Sequence, residues 1–146
     1  MLIFLLLWST IEDFLPTLWI IPILVSLILF LIDISDGLLA DLDKMINTQK
    51  LSYKIFLQDI PISNNLKMIL DLKILPKINC ISNGDDYQVL FTASKNKTRI
   101  IKKIASNYRV KLTKIGSIQS HTEKSSIIDC KNRKITLKNK GYFHKF

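Results

Sequence analysis

The first 43 residues contain no lysine or arginine, although the whole chain of 146 residues carries a formal net charge of +9. They hold six acids, and the rest of the chain holds 21 bases against six acids, a formal balance of +15. Only four glycines and four prolines occur, and 48% of residues are hydrophobic, which argues against disorder and for a domain with a core. The lysines are scattered, so they indicate a solvated basic surface that attracts anionic phosphates rather than nucleic-acid binding.

Cysteine and histidine are also rare, and neither is spaced to bind a metal. Cys80 and Cys130 lie fifty residues apart without a CxxC partner, so the sequence contains no zinc or redox motif. We expect two free, buried thiols in a reducing cytosol. His121 and His144 are isolated, and we expect both at the surface.

An apolar region without basic residues occupies the N-terminal 32 residues. Residues 1–8 are wholly apolar, and residues 14–32 form a run of 19 residues without a charge, close to the ~20 that cross a bilayer. Pro16 and Pro22 interrupt this run as a helix, and acids rather than bases flank it. Two interpretations stay open: a membrane span with the Lys-rich part in the cytoplasm, or an extended segment followed by a helix or strand in a core.

Beyond residue 32 the pattern alternates between helices and strands. Apolar residues at helical spacing predict a helix after Ser35 that ends between residues 47 and 50, with Ser35 or Asp36 as its N-cap. Helices are also predicted over 64–75 and 96–108, and strands over 53–57, 87–92, 110–118, 125–129 and 133–137. This order predicts an α/β layered sandwich, in which helices flank a mixed sheet. The predicted domain comprises residues 33–146 and follows an apolar segment of residues 1–32.

Two acidic turns contain the residue types that phosphoryl transfer requires. The first places Asp33, Ser35 and Asp36 ahead of a helix, where carboxylates suit Mg²⁺ and a serine can donate to a phosphate oxygen beside free backbone N–H groups. The second places Asp85 and Asp86 between a glycine and a strand, where they repel each other unless a cation or donor lies nearby. The structural alternatives are a helix cap for the first turn and a solvated turn for the second.

The order of five motifs resembles the C-terminal half of thiamine-monophosphate kinase, of the aminoimidazole-ribonucleotide-synthetase superfamily. The motifs are DISDGLLADL (33–42), IPIS (60–63), GDDYQVLFT (84–92), KIGSI (114–118) and GYFHKF (141–146). The corresponding family pieces read MDISDGLLADL, a Pro-Ile/Leu-Ser turn, GGEDYELLFT, an IGxI strand and a terminal GYDHF. The resemblance implies the fold of the C-terminal domain of that superfamily. It also implies transfer of the terminal phosphate of ATP to thiamine monophosphate, giving thiamine diphosphate, with several Mg²⁺ ions.

The resemblance also assigns roles to individual residues. It makes Asp33 and Asp36 magnesium ligands, and it places Ser35 in contact with ATP. Asp85 touches the thiamine substrate, and Tyr142 lies near the substrate ring; a tail that only packs on the surface is the alternative for Tyr142. No residue is assigned as a covalent catalyst, because phosphoryl transfer depends on positioning and on cations that offset phosphate charge.

Departures from the family pattern limit the predicted activity. Only 32 residues precede Asp33 in this sequence, so we expect it to lack the family's nucleotide-binding N-terminal domain. Asn83 replaces the first glycine of GGEDY, and the lead-in LPTPR survives only as Leu15-Pro16-Thr17. We therefore expect a cytoplasmic fragment that is inactive alone, either a decaying copy or one part of a split enzyme with a separate N-terminal half. The alternative function is a membrane-tethered cytoplasmic binding module with a basic surface, anchored through residues 14–32.

Overall fold

The computed structural model describes residues 1–7, 28–47, 49–81, 88–120 and 122–135. Within these ranges one sheet contains seven strands, which are β1 (Leu2–Leu7), β2 (Ile28–Asp33), β3 (Leu51–Phe56), β4 (Val89–Ala93), β5 (Lys111–Ser120), β6 (Ser126–Ile128) and β7 (Lys134–Ile135). Their order across the sheet is β2-β4-β1-β5-β3-β6-β7. Neighbouring strands are antiparallel except β3 and β6, which are parallel. The predicted α/β class and mixed sheet are confirmed.

The described helices are α1 (Leu38–Asn47), α2 (Asn64–Asp71), α3 (Lys77–Cys80) and α4 (Thr98–Asn107), with 3-10 turns at Leu57–Asp59 and Lys95–Lys97. The helix predicted over 64–75 is shorter than expected. It ends where Lys73 adopts a left-handed φ of 57° and its N–H donates to the Leu70 carbonyl at 2.9 Å. Helical structure resumes as α3 after Pro76, which cannot donate to a preceding turn.

Helices cover both faces of the sheet. On one face, Leu39 of α1 packs in a buried cluster with Ile3 and Leu5 of β1. On the other face, Phe4 of β1 packs in a second cluster that includes Ile101 of α4. A strand with both faces buried needs apolar residues at successive positions, so packing accounts for the run LIFLLL. Hydropathy predicts only an apolar segment for these residues, whereas β1 lies between β4 and β5 in the middle of the described sheet.

The predicted membrane run overlaps a strand of this sheet. Its last residues, 28–32, belong to β2, which pairs antiparallel with β4. Residues 14–27 lie outside the described residues. Within the described ranges, no helix combines the length and apolarity that crossing a membrane requires. Residues 28–32 therefore form a strand, as in the second interpretation, but β2 lies at the edge of the described sheet and none of its residues is fully buried. The predicted domain boundary at residue 32 stays a prediction.

The two cysteines are free, as expected, but they are less buried than predicted. Cys80 is half-buried in α3, and Cys130 is exposed in the turn between β6 and β7. Asp129 shapes this turn, because its Oδ1 accepts from the backbone N–H groups of Lys131 (2.9 Å) and Arg133 (2.8 Å). A tight turn at the end of a hairpin leaves the Cys130 side chain in solvent. His121 and His144 lie outside the described residues.

Candidate functional site

The first acidic turn lies where β2 leaves the sheet. Asp33 is the last residue of β2, is exposed, and is the register partner of Val89 on β4. The next residue, Ile34, is buried and donates its N–H to the Gln88 carbonyl at 2.8 Å. The end of β2 is thus fixed against the start of β4, which belongs to the GDDYQVLFT motif (84–92).

Gly37 makes the change from this turn to helix α1. Its φ of 109° lies in the region that side chains disfavour, which is a reason for glycine at this position. Its carbonyl accepts from the Asp41 N–H at 3.0 Å, the first helical hydrogen bond of α1. Gly37, rather than Ser35 or Asp36, therefore precedes the helix directly, and the predicted cap position is wrong by one or two residues.

Asp41 holds the turn in shape from inside the helix. Its Oδ2 accepts from the backbone N–H groups of Ser35 and Asp36, both at 2.9 Å, and the residue is only 1% exposed. Hydrogen bonds from backbone N–H groups to an ionised carboxylate are stronger than neutral ones. These two N–H groups are therefore already bonded within the turn, because Asp41 accepts from both.

Lys44, one helical turn after Asp41, supplies the positive charge of the site. Its Nζ donates to Asp41 Oδ1 at 2.8 Å and also to Asp36 Oδ2. These two carboxylates raise the pKa of Lys44 to about 12, so the ammonium is fully charged at neutral pH. Together, Asp33, Asp36 and Asp41 against Lys44 give a formal local charge of −2.

Two carboxylates of the turn are accessible to solvent, and their residue type is one that magnesium accepts. In proteins Mg²⁺ usually keeps several waters and takes one or two carboxylates together with phosphate oxygens. Asp33 is exposed and the Asp36 side chain is 32% exposed, so both are open to solvent. In the described part of the chain, no three Asp, Glu, His or Cys side chains are grouped so that they could hold a metal. A cation here would therefore depend on phosphate oxygens for the rest of its shell.

The remaining predicted site residues cannot be placed beside this turn. Asp85 falls in the range 82–87 and Tyr142 in the range 136–146, and both ranges lie outside the described residues. The roles of Asp41 and Lys44 in this turn were not predicted from the sequence. Their spacing carried a signal, since an acid in the first helical turn and a base three residues later form a neighbouring pair on the helix surface.

Comparison with known proteins identifies the class of protein to which this fold belongs. No profile of a known protein family matches the chain. Its fold matches the crystal structure of thiamine-monophosphate kinase from Stenotrophomonas maltophilia K279a with a TM-score of 0.64 and 20% identity, over 88% of this chain and 49% of that chain. A structure described as AaThiL complexed with AMPPCP and TMP matches with a TM-score of 0.62 and 20% identity, over 97% of this chain and 51% of that chain. The chain therefore has the fold of a large part of these kinases.

The sequence comparison then gives the particular relationship. The thiamine-monophosphate kinase of Buchnera aphidicola subsp. Acyrthosiphon pisum (strain APS) is 36% identical over 115 residues, which are 77% of this chain and 34% of the relative. The chain is a partial homologue of thiamine-monophosphate kinase, and the resemblance seen in its motifs is confirmed. It spans about a third of the length of the curated relatives that it matches.

Proposed function

We propose that the chain is the part of a thiamine-monophosphate kinase-like phosphotransferase that presents a divalent cation to nucleotide phosphates, and that it is inactive alone. The observation that carries this proposal is the turn of Asp33, Ser35 and Asp36, held by buried Asp41, in a homologue of these kinases. The solved relative with AMPPCP and TMP bound supports nucleotide and TMP as ligands of the whole enzyme.

Each residue of the turn has a separate task in this proposal. Asp33 and Asp36 bind Mg²⁺, which offsets charge on the phosphates of ATP. Ser35 is exposed, and its N–H is already donated to Asp41. Its hydroxyl, rather than its N–H, is therefore the group that donates to a phosphate oxygen. Asp85 and Tyr142 are proposed to contact thiamine monophosphate, on the family resemblance alone. Positioning and charge compensation suffice for phosphoryl transfer, so no covalent step is assigned.

The metal role is tested by direct binding of Mn²⁺, a paramagnetic substitute for Mg²⁺, to the purified chain. We expect Asp36→Asn to weaken Mn²⁺ binding at least roughly tenfold, since one of two carboxylate ligands is lost. The matched control is Asp71→Asn, which removes an exposed carboxylate at the end of α2. Binding that is equally strong in wild type and in Asp36→Asn would remove the metal role from this turn.

Inactivity is tested by measuring thiamine diphosphate formed from thiamine monophosphate, ATP and Mg²⁺. The chain is purified from a host that lacks its own kinase, and we expect no product. A separate chain that supplies the other half should restore turnover on mixing, and Asp36→Asn should abolish that restored turnover. Product formed by the chain alone would contradict the proposed inactivity, and no turnover on mixing would contradict a split enzyme.

We further propose a cytoplasmic location, because the resemblance is to a kinase that uses ATP. The alternative is a membrane-tethered module anchored through residues 14–32, whose last five residues form part of strand β2. Carbonate extraction of cell membranes separates the two, since an anchored chain stays with the membrane pellet and a cytoplasmic chain does not.

A further inference from the structure

Lys44 places a positive charge on one of the two carboxylates that are proposed to bind the metal. Its ammonium contacts Asp36 Oδ2 on one side and Asp41 Oδ1, at 2.8 Å, on the other. We infer that Lys44 is an internal competitor of the divalent cation, so that the turn binds a metal tightly only when Lys44 leaves Asp36. This inference rests on the proposed function, and it concerns how Lys44 limits metal binding at the same turn.

The two contacts of Lys44 differ in how easily they are replaced. Asp41 is 1% exposed and is fixed by two backbone N–H groups, so its position does not depend on Lys44 alone. Asp36 is one-third exposed, and the Lys44 side chain is 52% exposed, so solvent reaches this second pair. The contact with Asp36 is therefore the more solvent-accessible and the more exchangeable of the two, as exposed ion pairs are.

An ammonium and a divalent cation repel each other when both contact the Asp36 carboxylate. Like charges a few ångströms apart are unfavourable even in a partly solvated site. Lysine is protonated at neutral pH, because its ordinary pKa of about 10.4 lies far above 7. A metal that binds Asp36 must therefore displace the ammonium, and the cost of that displacement lowers metal affinity. Lys44 remains paired with Asp41 in that state, which makes the displacement local.

The test compares Mn²⁺ affinity of wild type and Lys44→Met, measured as loss of the electron paramagnetic resonance signal of free Mn²⁺. Methionine keeps most of the side-chain length but removes the charge. We expect Lys44→Met to bind Mn²⁺ at least about tenfold more tightly than wild type, since a competing cation is removed. Lys103→Met removes an exposed lysine from α4 and is the matched control, which should bind as wild type does.

Two further variants keep the test interpretable. Lys44→Gln retains a donor for buried Asp41, so it shows the same gain should Lys44→Met fail to fold, as judged by circular dichroism. Asp36→Asn added to either variant should abolish the gain, which would locate the gain at Asp36. Lys44→Arg keeps the positive charge and should bind as weakly as wild type.

The outcomes separate this inference from the function on which it rests. Suppose that wild type, Lys44→Met and Lys44→Gln bind Mn²⁺ equally well, and that Asp36→Asn abolishes binding in each. This result would overturn the competition and leave the metal role intact. No Mn²⁺ binding by any folded variant would overturn both. A gain that survives Asp36→Asn would overturn the inference, because the competition would then concern some other ligand.

Discussion

Asp41 is the residue that gives the acidic turn its shape. It is buried, and its two oxygens have different partners: Oδ2 accepts from the N–H groups of Ser35 and Asp36, and Oδ1 accepts from Lys44. A buried carboxylate is tolerated only when its oxygens are satisfied, and here each oxygen faces a donor. The position of Asp36, and with it the proposed metal site, depends on this arrangement.

Asp41→Asn should therefore destabilise the protein and loosen the turn. An asparagine has one carbonyl oxygen and one amide, so in either orientation its NH₂ faces a donor, either the two backbone N–H groups or the Lys44 ammonium. The loss is expected at about 1–3 kcal/mol, the cost of leaving a buried donor unsatisfied. Urea unfolding followed by circular dichroism measures it, and Asp71→Asn at an exposed position of α2 is the control. Equal midpoints for the two variants would show that Asp41 does not hold the turn.

At this scale the sequence predicted an acidic turn ahead of a helix, but it did not predict which side chain holds that turn in shape. The DISDG letters indicated carboxylates, a hydroxyl and a glycine ahead of a helix, and the structure places the helix one residue after Gly37. The sequence did not indicate that the Asp41 carboxylate accepts from the backbone N–H groups of Ser35 and Asp36. Helical periodicity predicts which face a side chain occupies, but not which of several nearby acids accepts from a turn. That choice depends on the conformation of Gly37.

Among the elements, β5 contains a glycine whose role depends on the neighbouring strand. Gly116 of the KIGSI motif is the register partner of Ile55 on β3. A Cβ at this position would overlap the Lys54 carbonyl oxygen and lie 3.0 Å from Ile55 Cδ1 and 3.1 Å from Ile55 Cα. The two backbones approach closely here, and only glycine fits.

Gly116→Ala should weaken the pairing of β3 with β5. The methyl group collides with backbone, which cannot move without disturbing the ladder, so we expect a loss of about 1–3 kcal/mol, as for overpacked cores. Ser117→Ala, one residue further along the same strand, adds no atoms and is the matched control. Hydrogen exchange of the β3 amides should rise in Gly116→Ala relative to this control. Unchanged exchange in β3 would contradict the close approach.

The sequence predicted helices well where the spacing of apolar residues agreed with the polar residues at both ends of the segment. Helix α1 ends at Asn47 and α4 at Asn107, within the predicted limits, because a single apolar face and polar flanks define both. Helix α2 has no buried residue, so packing does not extend it, and it stops at Asp71 although the predicted helix continues to residue 75. A periodic pattern predicts a helical face only when something packs against that face.

For the whole molecule, the position of β1 decides how the N-terminal residues are understood. Hydropathy alone makes residues 1–8 part of an apolar segment, yet β1 pairs with β4 on one side and β5 on the other. Local pattern could not show this, since the partners of β1 lie more than 80 residues away in sequence. The strand also carries alternate residues into the clusters on both faces of the sheet.

A comparison of two apolar residues in the N-terminal region tests this architecture. Phe4 is fully buried, and its ring stacks on Phe91 with centroids 5.3 Å apart, whereas Leu29 of β2 is 49% exposed. Phe4→Ala removes a buried aromatic from the middle of the sheet and should cost about 3–5 kcal/mol. Leu29→Ala should cost roughly 1 kcal/mol or less, because much of its surface already contacts water. Both are measured as changes in the free energy of unfolding in urea.

The two variants are expected to differ strongly in their stability. Domains of this length are stable by only about 5–15 kcal/mol, so the loss expected for Phe4→Ala is a large share of the total, and the variant should unfold well below the wild-type midpoint. An N-terminal segment that lies outside the fold, as a membrane anchor or a degenerate lead-in, would leave the unfolding midpoint unchanged in both variants. A strand in the middle of the sheet makes Phe4→Ala costly while Leu29→Ala stays close to wild type. Similar midpoints for the two variants would therefore remove β1 from the core of the domain, and with it the close match between this fold and that of the kinases.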